Sequence, residues 1–557
     1  MADSTSISIS NFIFFSSLLL SISTTTTAAA ATTVCKYTRY PSFCQTFLPI
    51  NNSSATLHDY TRFSLRKSIA AATKFSKSIK KHLTATTTTT VAAAAIHALQ
   101  DCHYLAKLNV DFLTTTYQKV NAGQTSLPGT SSEHAQTLLS AVLTNTDTCI
   151  DGLQTHAASW TSQNDIVSPM QNHNKLYSVS LALFNKAFGA KKNNNNKKFG
   201  FSNNNKNMFF ENGGFFPRVE MFENFKVVQD GGGGRRNGVV VSDIVVVSQD
   251  GSGNFTKIND AVDFAPKNSD GGSGYFMIYV KGGVYEEYVN IPKNKKYLMM
   301  IGDGINSTVI TGNHSVADGW STFKSGTFIV AAPNFVAVNI SIRNTAGAIK
   351  HQAVALRNGA DLSTFYLCSF EGYQDTLYAH SLRQFYKECD IYGTVDFIFG
   401  DASVVFQNCS IYPRLPMRGQ FNTITAQGRK DPGQNSGTSI QKCNIRESSD
   451  LAASDGTTLT YLGRPWRNCS RTVYMQSYME LAITPAGWMD WSNRSALETL
   501  YYAEFNNSGS GADTSERVSW PGFHIIDATD AVNFTASALI PGDEFLPQTG
   551  VPYDSGL

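Results

Sequence analysis

The chain has 557 residues, with 45 Lys+Arg against 43 Asp+Glu and a formal net charge of +2. The length excludes a single small domain and calls for at least two; the near-neutral total makes no case for a nucleic-acid partner. The charge is unevenly divided: residues 36–210 hold 18 basic and 7 acidic side chains, residues 243–557 hold 23 and 31. A basic half beside an acidic half attracts it electrostatically, although lysines spread along helix faces are equally a solvated surface, and a polyanion or membrane partner stays open.

Residues 12–22 form an apolar run too short to span a bilayer comfortably, and residues 24–33 are rich in Thr and Ala. Together they read as a signal peptide, residues 1–31, cut near residues 28–31. Asp3 and the lack of Lys or Arg before the run leave a retained anchor as the alternative. No later apolar run reaches transmembrane length, so no stable membrane insertion is expected after cleavage. Nine cysteines and sequons such as Asn254, Asn306, Asn313 and Asn533 fit a secreted protein. Asn339 and Asn408 lie in strand-like runs and are expected to be buried or blocked.

Residues 32–160 read as helical. Ile69, Ala72, Phe75, Ile79 and Leu83 recur at three or four, as do Ala95, Leu99, Cys102, Leu105 and Phe112, then Leu138 and Val142 before Cys149. Short polar breaks between them suggest an antiparallel bundle. Cys35 and Cys44 suit a small closed loop, and Cys102 with Cys149 would clamp two helices; spacing alone leaves other pairings open. Residues 161–242 are assigned to a linker, Asn- and Gly-rich from residue 190, that cannot bury enough apolar surface to fold. Within it Arg235-Arg236 is an accessible dibasic processing site. From Asp243 short Val/Ile-rich runs alternate with Gly, Asn and Asp turns. This pattern predicts an all-β solenoid over residues 243–557, with a jelly roll as the alternative.

The stretch 352–400 organises that half. Gln352 to Asp375 is 23 residues and Asp375 to Asp396 is 21. About twenty residues per circuit is the travel of one rung of a parallel β-helix, which places Gln352, Asp375 and Asp396 on one face of three successive rungs. The same spacing would bring Cys389 and Cys409 within disulfide reach. Two carboxylates with amide donors beside them can supply a nucleophile, a general acid/base and an oxyanion hole. No Gly-x-Ser-x-Gly elbow occurs and no Cys/His metal spacing is seen, so neither a serine esterase nor a metal or other cofactor is expected.

Gly283-Val-Tyr-Glu-Glu287, Gln352-Ala-Val-Ala-Leu356, Gln374-Asp375-Thr376, Asp396-Phe-Ile-Phe-Gly400 and Leu462-Gly-Arg-Pro-Trp466, in that order, resemble the ordered motifs of plant pectin methylesterases. The four N-terminal cysteines, with Ala98-Leu-Gln-Asp-Cys102 and the run from Leu139 to Cys149, resemble the pectin methylesterase inhibitor family. The resemblance implies a right-handed parallel β-helix that removes methyl esters from homogalacturonan in the cell wall. It also implies a four-helix bundle with pairs Cys35–Cys44 and Cys102–Cys149, acting as a pro-region that covers the groove or assists export. In the related enzymes a dibasic motif in this linker is cut; here the Asn237-Gly238 that follows departs from the usual apolar pair. On this reading Asp396 is the nucleophile, Asp375 the proton donor and base, and Gln352 and Gln374 stabilise the oxyanion. Arg464 orients Asp396, and Thr322 and Trp466 join Gln352 and Arg464 in contacting substrate. The acidic balance of this half then points to a preference for weakly charged, highly methylated polymer. A pectin hydrolase or lyase, or an inactive wall-binding protein, are the rival readings.

Overall fold

The computed structural model describes residues 31–49, 54–85, 93–121, 123–158, 166–189, 239–480, 483–491 and 494–557. The expected signal peptide, apart from Ala31, and Arg235-Arg236 lie outside these residues. Two short helices, α1 (Ala31–Cys35) and α2 (Pro41–Phe47), lead into four long ones: α3 (Leu57–Ala85), α4 (Ala93–Val120), α5 (Gly129–His156) and α6 (Val167–Phe188). The predicted periodicities are the packed faces. Leu65, Ala72, Leu113, Leu139, Val142 and Leu143 share one core with Tyr177, Leu181, Phe184 and Phe188 of α6. Cys35 is bonded to Cys44 and Cys102 to Cys149, as the resemblance implied. In the loop-entropy picture the second bridge is worth about 4 kcal/mol.

The bundle therefore does not end at residue 160. α6 supplies its fourth wall and removes the first part of the expected linker. Its apolar residues Met170, Tyr177, Leu181, Phe184 and Phe188 recur at helical spacing; the last four join the core that holds Leu65 and Leu139, and Met170 joins the one that holds Cys102 and Cys149. No helix among the described residues is long and apolar enough to cross a membrane.

The second half winds as a right-handed parallel β-helix. Its strands form three sheets of eleven, eight and seven members, and every strand pairing among them is parallel. A jelly roll, built on antiparallel pairs, is thereby excluded. The offset is 21 residues where Leu356 pairs with Leu377 and 20 where Asp390 pairs with Ser410. It lengthens to 34 where Ser410 pairs with Asn444, because the turns beyond Pro413 and Gln427 grow into loops. The interior is filled by stacked rings, with Phe365 on Tyr386 at 5.0 Å and Tyr386 on Phe406 at 4.7 Å.

One corner repeats along the coil. Asn339, Leu367, Glu388, Asn408, Lys442, Gln476 and Asn506 each follow a strand of the eleven-stranded sheet with φ between 48 and 58°. Only Asn among these visits the left-handed region readily, so the rung geometry imposes it on the rest. This corner sets two corrections. Asn408 points outward and is exposed rather than buried, and Asn339 is partly exposed. The residue after the corner turns inward, which stacks Cys368, Cys389, Cys409 and Cys443 in the core. The expected Cys389–Cys409 bridge is absent and both thiols are free. Parallel side chains on adjacent strands keep roughly the 4.8 Å strand spacing, whereas bonded Cβ atoms need about 3.8 Å. Each sulfur donates instead to a carbonyl two residues back, as Cys389 does to Lys387 at 3.4 Å and Cys409 to Gln407 at 3.7 Å.

Candidate active site

The seven-stranded sheet carries the site on its outer face. Asp375 precedes the strand Leu377–Ala379 and Asp396 the strand Ile398–Gly400; Leu377 pairs with Ile398, so the two acids occupy equivalent places on adjacent rungs. Both have left-handed backbones, φ 63 and 54°, conformations that cost energy for a non-glycine residue and recur at functional positions. Gly400 closes the second rung at φ 127°, and a Cβ there would overlap the Ala379 carbonyl oxygen. Gln352 arrives less directly than the spacing suggested: the offset of 21 places Val354, not Gln352, opposite Asp375. It reaches the site from two residues upstream.

Asp396 is 5 % exposed. Arg464, just after the strand Thr460–Gly463, donates from Nε and Nη2 to its two carboxylate oxygens at 2.8 and 2.6 Å. Such a fork fixes the plane of a carboxylate as a lysine would not. Thr423 Oγ1 donates to Asp396 Oδ1 at 2.7 Å and accepts from the Asp396 amide at 2.8 Å. The guanidinium itself lies over the Trp491 ring at 3.8 Å. Burial raises the Asp375 carboxyl well above the usual carboxylate range; the charge of Asp396 raises it further, and Arg464 opposes both.

A cavity of about 440 Å³ opens over these groups. Gln352, Gln374, Asp375, Asp396, Arg464, Thr322 and Trp466 all line it, so every expected active-site position converges here. Tyr378 and Phe399 stack at 4.2 Å and form its floor, whereas Phe397 turns into the solenoid core. Thr423 and Trp491 were missed. Thr423 lies 27 residues after Asp396, one longer rung on, and a looser search of the repeat would have found it; nothing in the sequence marks Trp491.

The helical bundle supplies the opposite wall. Asp101 of α4 and Thr148 and Asp151 of α5 line the same cavity. Ser321 donates to Asp101 at 2.7 Å, Thr144 to Asp401 at 2.6 Å and Ser178 to Asp431 at 2.5 Å; Thr148 and His380 are 3.1 Å apart. The charge pairing runs against the overall balance. Across this interface among the described residues, Asp101 meets Lys324, Asp111 meets Lys293, Asp147 meets Lys430 and Asp151 meets Arg467. At these four pairs the net-basic half presents the carboxylates and the net-acidic half the cations; His134 facing Asp361 at 3.4 Å is the reverse contact.

Residues 244–543 match the Pectinesterase family, and residues 29–183 match the plant invertase/pectin methylesterase inhibitor family. The chain is 52 % identical over 544 residues to the probable pectinesterase/pectinesterase inhibitor 41 of Arabidopsis thaliana, covering 94 % of each. It is 41 % identical to pectinesterase 2 of Citrus sinensis, again over 94 % of each. The chain belongs to the pectinesterase family. Among solved structures it resembles the pectin methylesterase from carrot, at 51 % identity and a TM-score of 0.55 over 56 % of this chain and 98 % of that one. For this pectinesterase the β-helix is thus the part shared with the carrot enzyme, and the helices that wall its cavity belong to the inhibitor-like part.

Proposed function

We propose that this pectinesterase hydrolyses the methyl esters of homogalacturonan, releasing methanol and leaving carboxylates, with Asp396 as nucleophile and Asp375 as proton donor and base. The forked contact of Arg464 with Asp396, one rung from a carboxyl whose proton is held more tightly by burial, carries this reading. Asp396 attacks the ester carbonyl carbon and forms an acyl-enzyme anhydride. Asp375 gives its proton to the departing methoxide, then takes one from the water that cleaves the intermediate. The side-chain amides of Gln352 and Gln374 donate to the oxyanion, while Thr322 and Trp466 hold the flanking sugars. Trp466, edge-on to Phe399 at 6.1 Å, offers an indole face beside the reacting position.

The inhibitor-like bundle is the second half of the proposal. Seated on the groove through α4 and α5, it excludes polymer from the cavity, so the uncut chain is an autoinhibited form. The leader in residues 1–31 and Arg235-Arg236 fit a chain that is cut before export to the cell wall. Methanol release from esterified pectin by residues 239–557, with and without separately produced residues 31–189, tests both parts. Activity is expected from the β-helix alone and its suppression by the bundle. Chain shortening without methanol would overturn the esterase reading.

A further inference from the structure

A methyl ester is neutral and Arg464 is committed to Asp396, yet two more cations stand beside the site. Arg467 lines the main cavity together with Trp466 and Trp491. Sharing Trp466 and Trp491 with it is a second hollow of about 300 Å³, lined also by Arg39, Lys430 and Arg467. The Arg467 guanidinium lies 4.9 Å from the Trp466 ring. Cations flanking indole faces are the recognition chemistry of an anionic sugar, the rings taking its C–H face and the cations its carboxylate.

Both cations are already answered by carboxylates. Lys430 Nζ donates to Asp147 at 2.7 Å, and Arg467 is paired with Asp151. Asp147 and Asp151 stand one turn apart on α5, about 6 Å along its axis. They belong to a half with few acids, and they are placed against the groove. We infer that Lys430 and Arg467, with Trp466, form a subsite for the carboxylate of a de-esterified galacturonate unit next to the reacting one, and that Asp147 and Asp151 occupy it as substrate mimics. The inference rests on the cleft being the pectin site.

Calorimetric titration of the full-length chain with hexagalacturonate and with its methyl-esterified counterpart tests it. The D147N/D151N double variant is expected to bind hexagalacturonate at least about tenfold tighter than wild type at low salt, with less than a twofold change for the esterified hexamer. Adding K430Q/R467Q in that background should erase the gain. Persistence of the gain without the two cations, or no gain while the esterified hexamer binds, overturns the subsite. Binding of neither hexamer to any variant overturns the subsite, whereas the pectin reading beneath it falls only if residues 239–557 release no methanol from esterified pectin. In wild type, hexagalacturonate should also speed amide exchange around Asp147 and Asp151, and the esterified hexamer should not; equal effects of the two also overturn it.

Discussion

Asp396 is held from two sides, by the Arg464 fork and by the Thr423 hydroxyl. Replacing it by Asn keeps the shape and removes the proposed nucleophile. Methanol release by residues 239–557 should fall by at least about 10⁴-fold with the melting temperature little changed. Thr423→Val acts through orientation and should lower kcat by about tenfold while leaving KM in place. Gln352→Ala and Gln374→Ala each remove one proposed oxyanion donor, and kcat should fall by about 10²–10³-fold. The two acids were legible because they recur at the travel of one circuit, and the amides and arginine because they sit in the ordered motifs. Thr423 was not, since its rung of 27 residues exceeds the spacing near twenty, and Trp491 was not, since a ring under a guanidinium carries no spacing of its own.

The elements show how far pattern reading extends. Period 3.6 located α3, α4 and α5, and the change to short Val-rich runs located the solenoid. The helix α6 was lost to the linker because a polar first half and the Asn-rich stretch after it mask five apolar residues at helical spacing. The Cys389–Cys409 expectation failed for a different reason. Rung spacing reports separation along the stack, and a disulfide also needs converging Cβ vectors. Thiol titration of the unfolded, unreduced protein should therefore find five free cysteines, Cys368, Cys389, Cys409, Cys443 and Cys469, and four bonded ones. Removing the ring of Tyr386, stacked between Phe365 and Phe406, should cost about 3–5 kcal/mol in denaturant unfolding.

At the scale of the whole molecule, docking buries carboxylates from both halves. Asp101 and Asp401 are each pushed up to about 6, by burial first, with Lys324 and Ser321 opposing at Asp101 and Ser436, Thr144 and Gln434 at Asp401. A raised native value means the docked form holds protons that the unfolded chain has lost. The stability these two groups contribute is therefore full below about pH 4 and lost as pH rises through about 6. Melting temperatures of wild type and the D101N/D401N variant, compared from pH 4 to 7, should show wild type losing stability faster. Identical slopes would remove these two acids as the cause.

The left-handed corner from Asn339 to Asn506 has a consequence for lengthening or shortening this protein. Because seven successive circuits turn at the same backbone conformation and the next residue then faces inward, a coil added among them must copy that turn and its inward neighbour in phase. Extra residues elsewhere can balloon outward, as they already do after Pro413 and Gln427. Evolution and engineering alike are thus free to decorate the rim of the cleft, whereas a single inserted residue at the hinge of a coil would rotate every later layer out of alignment.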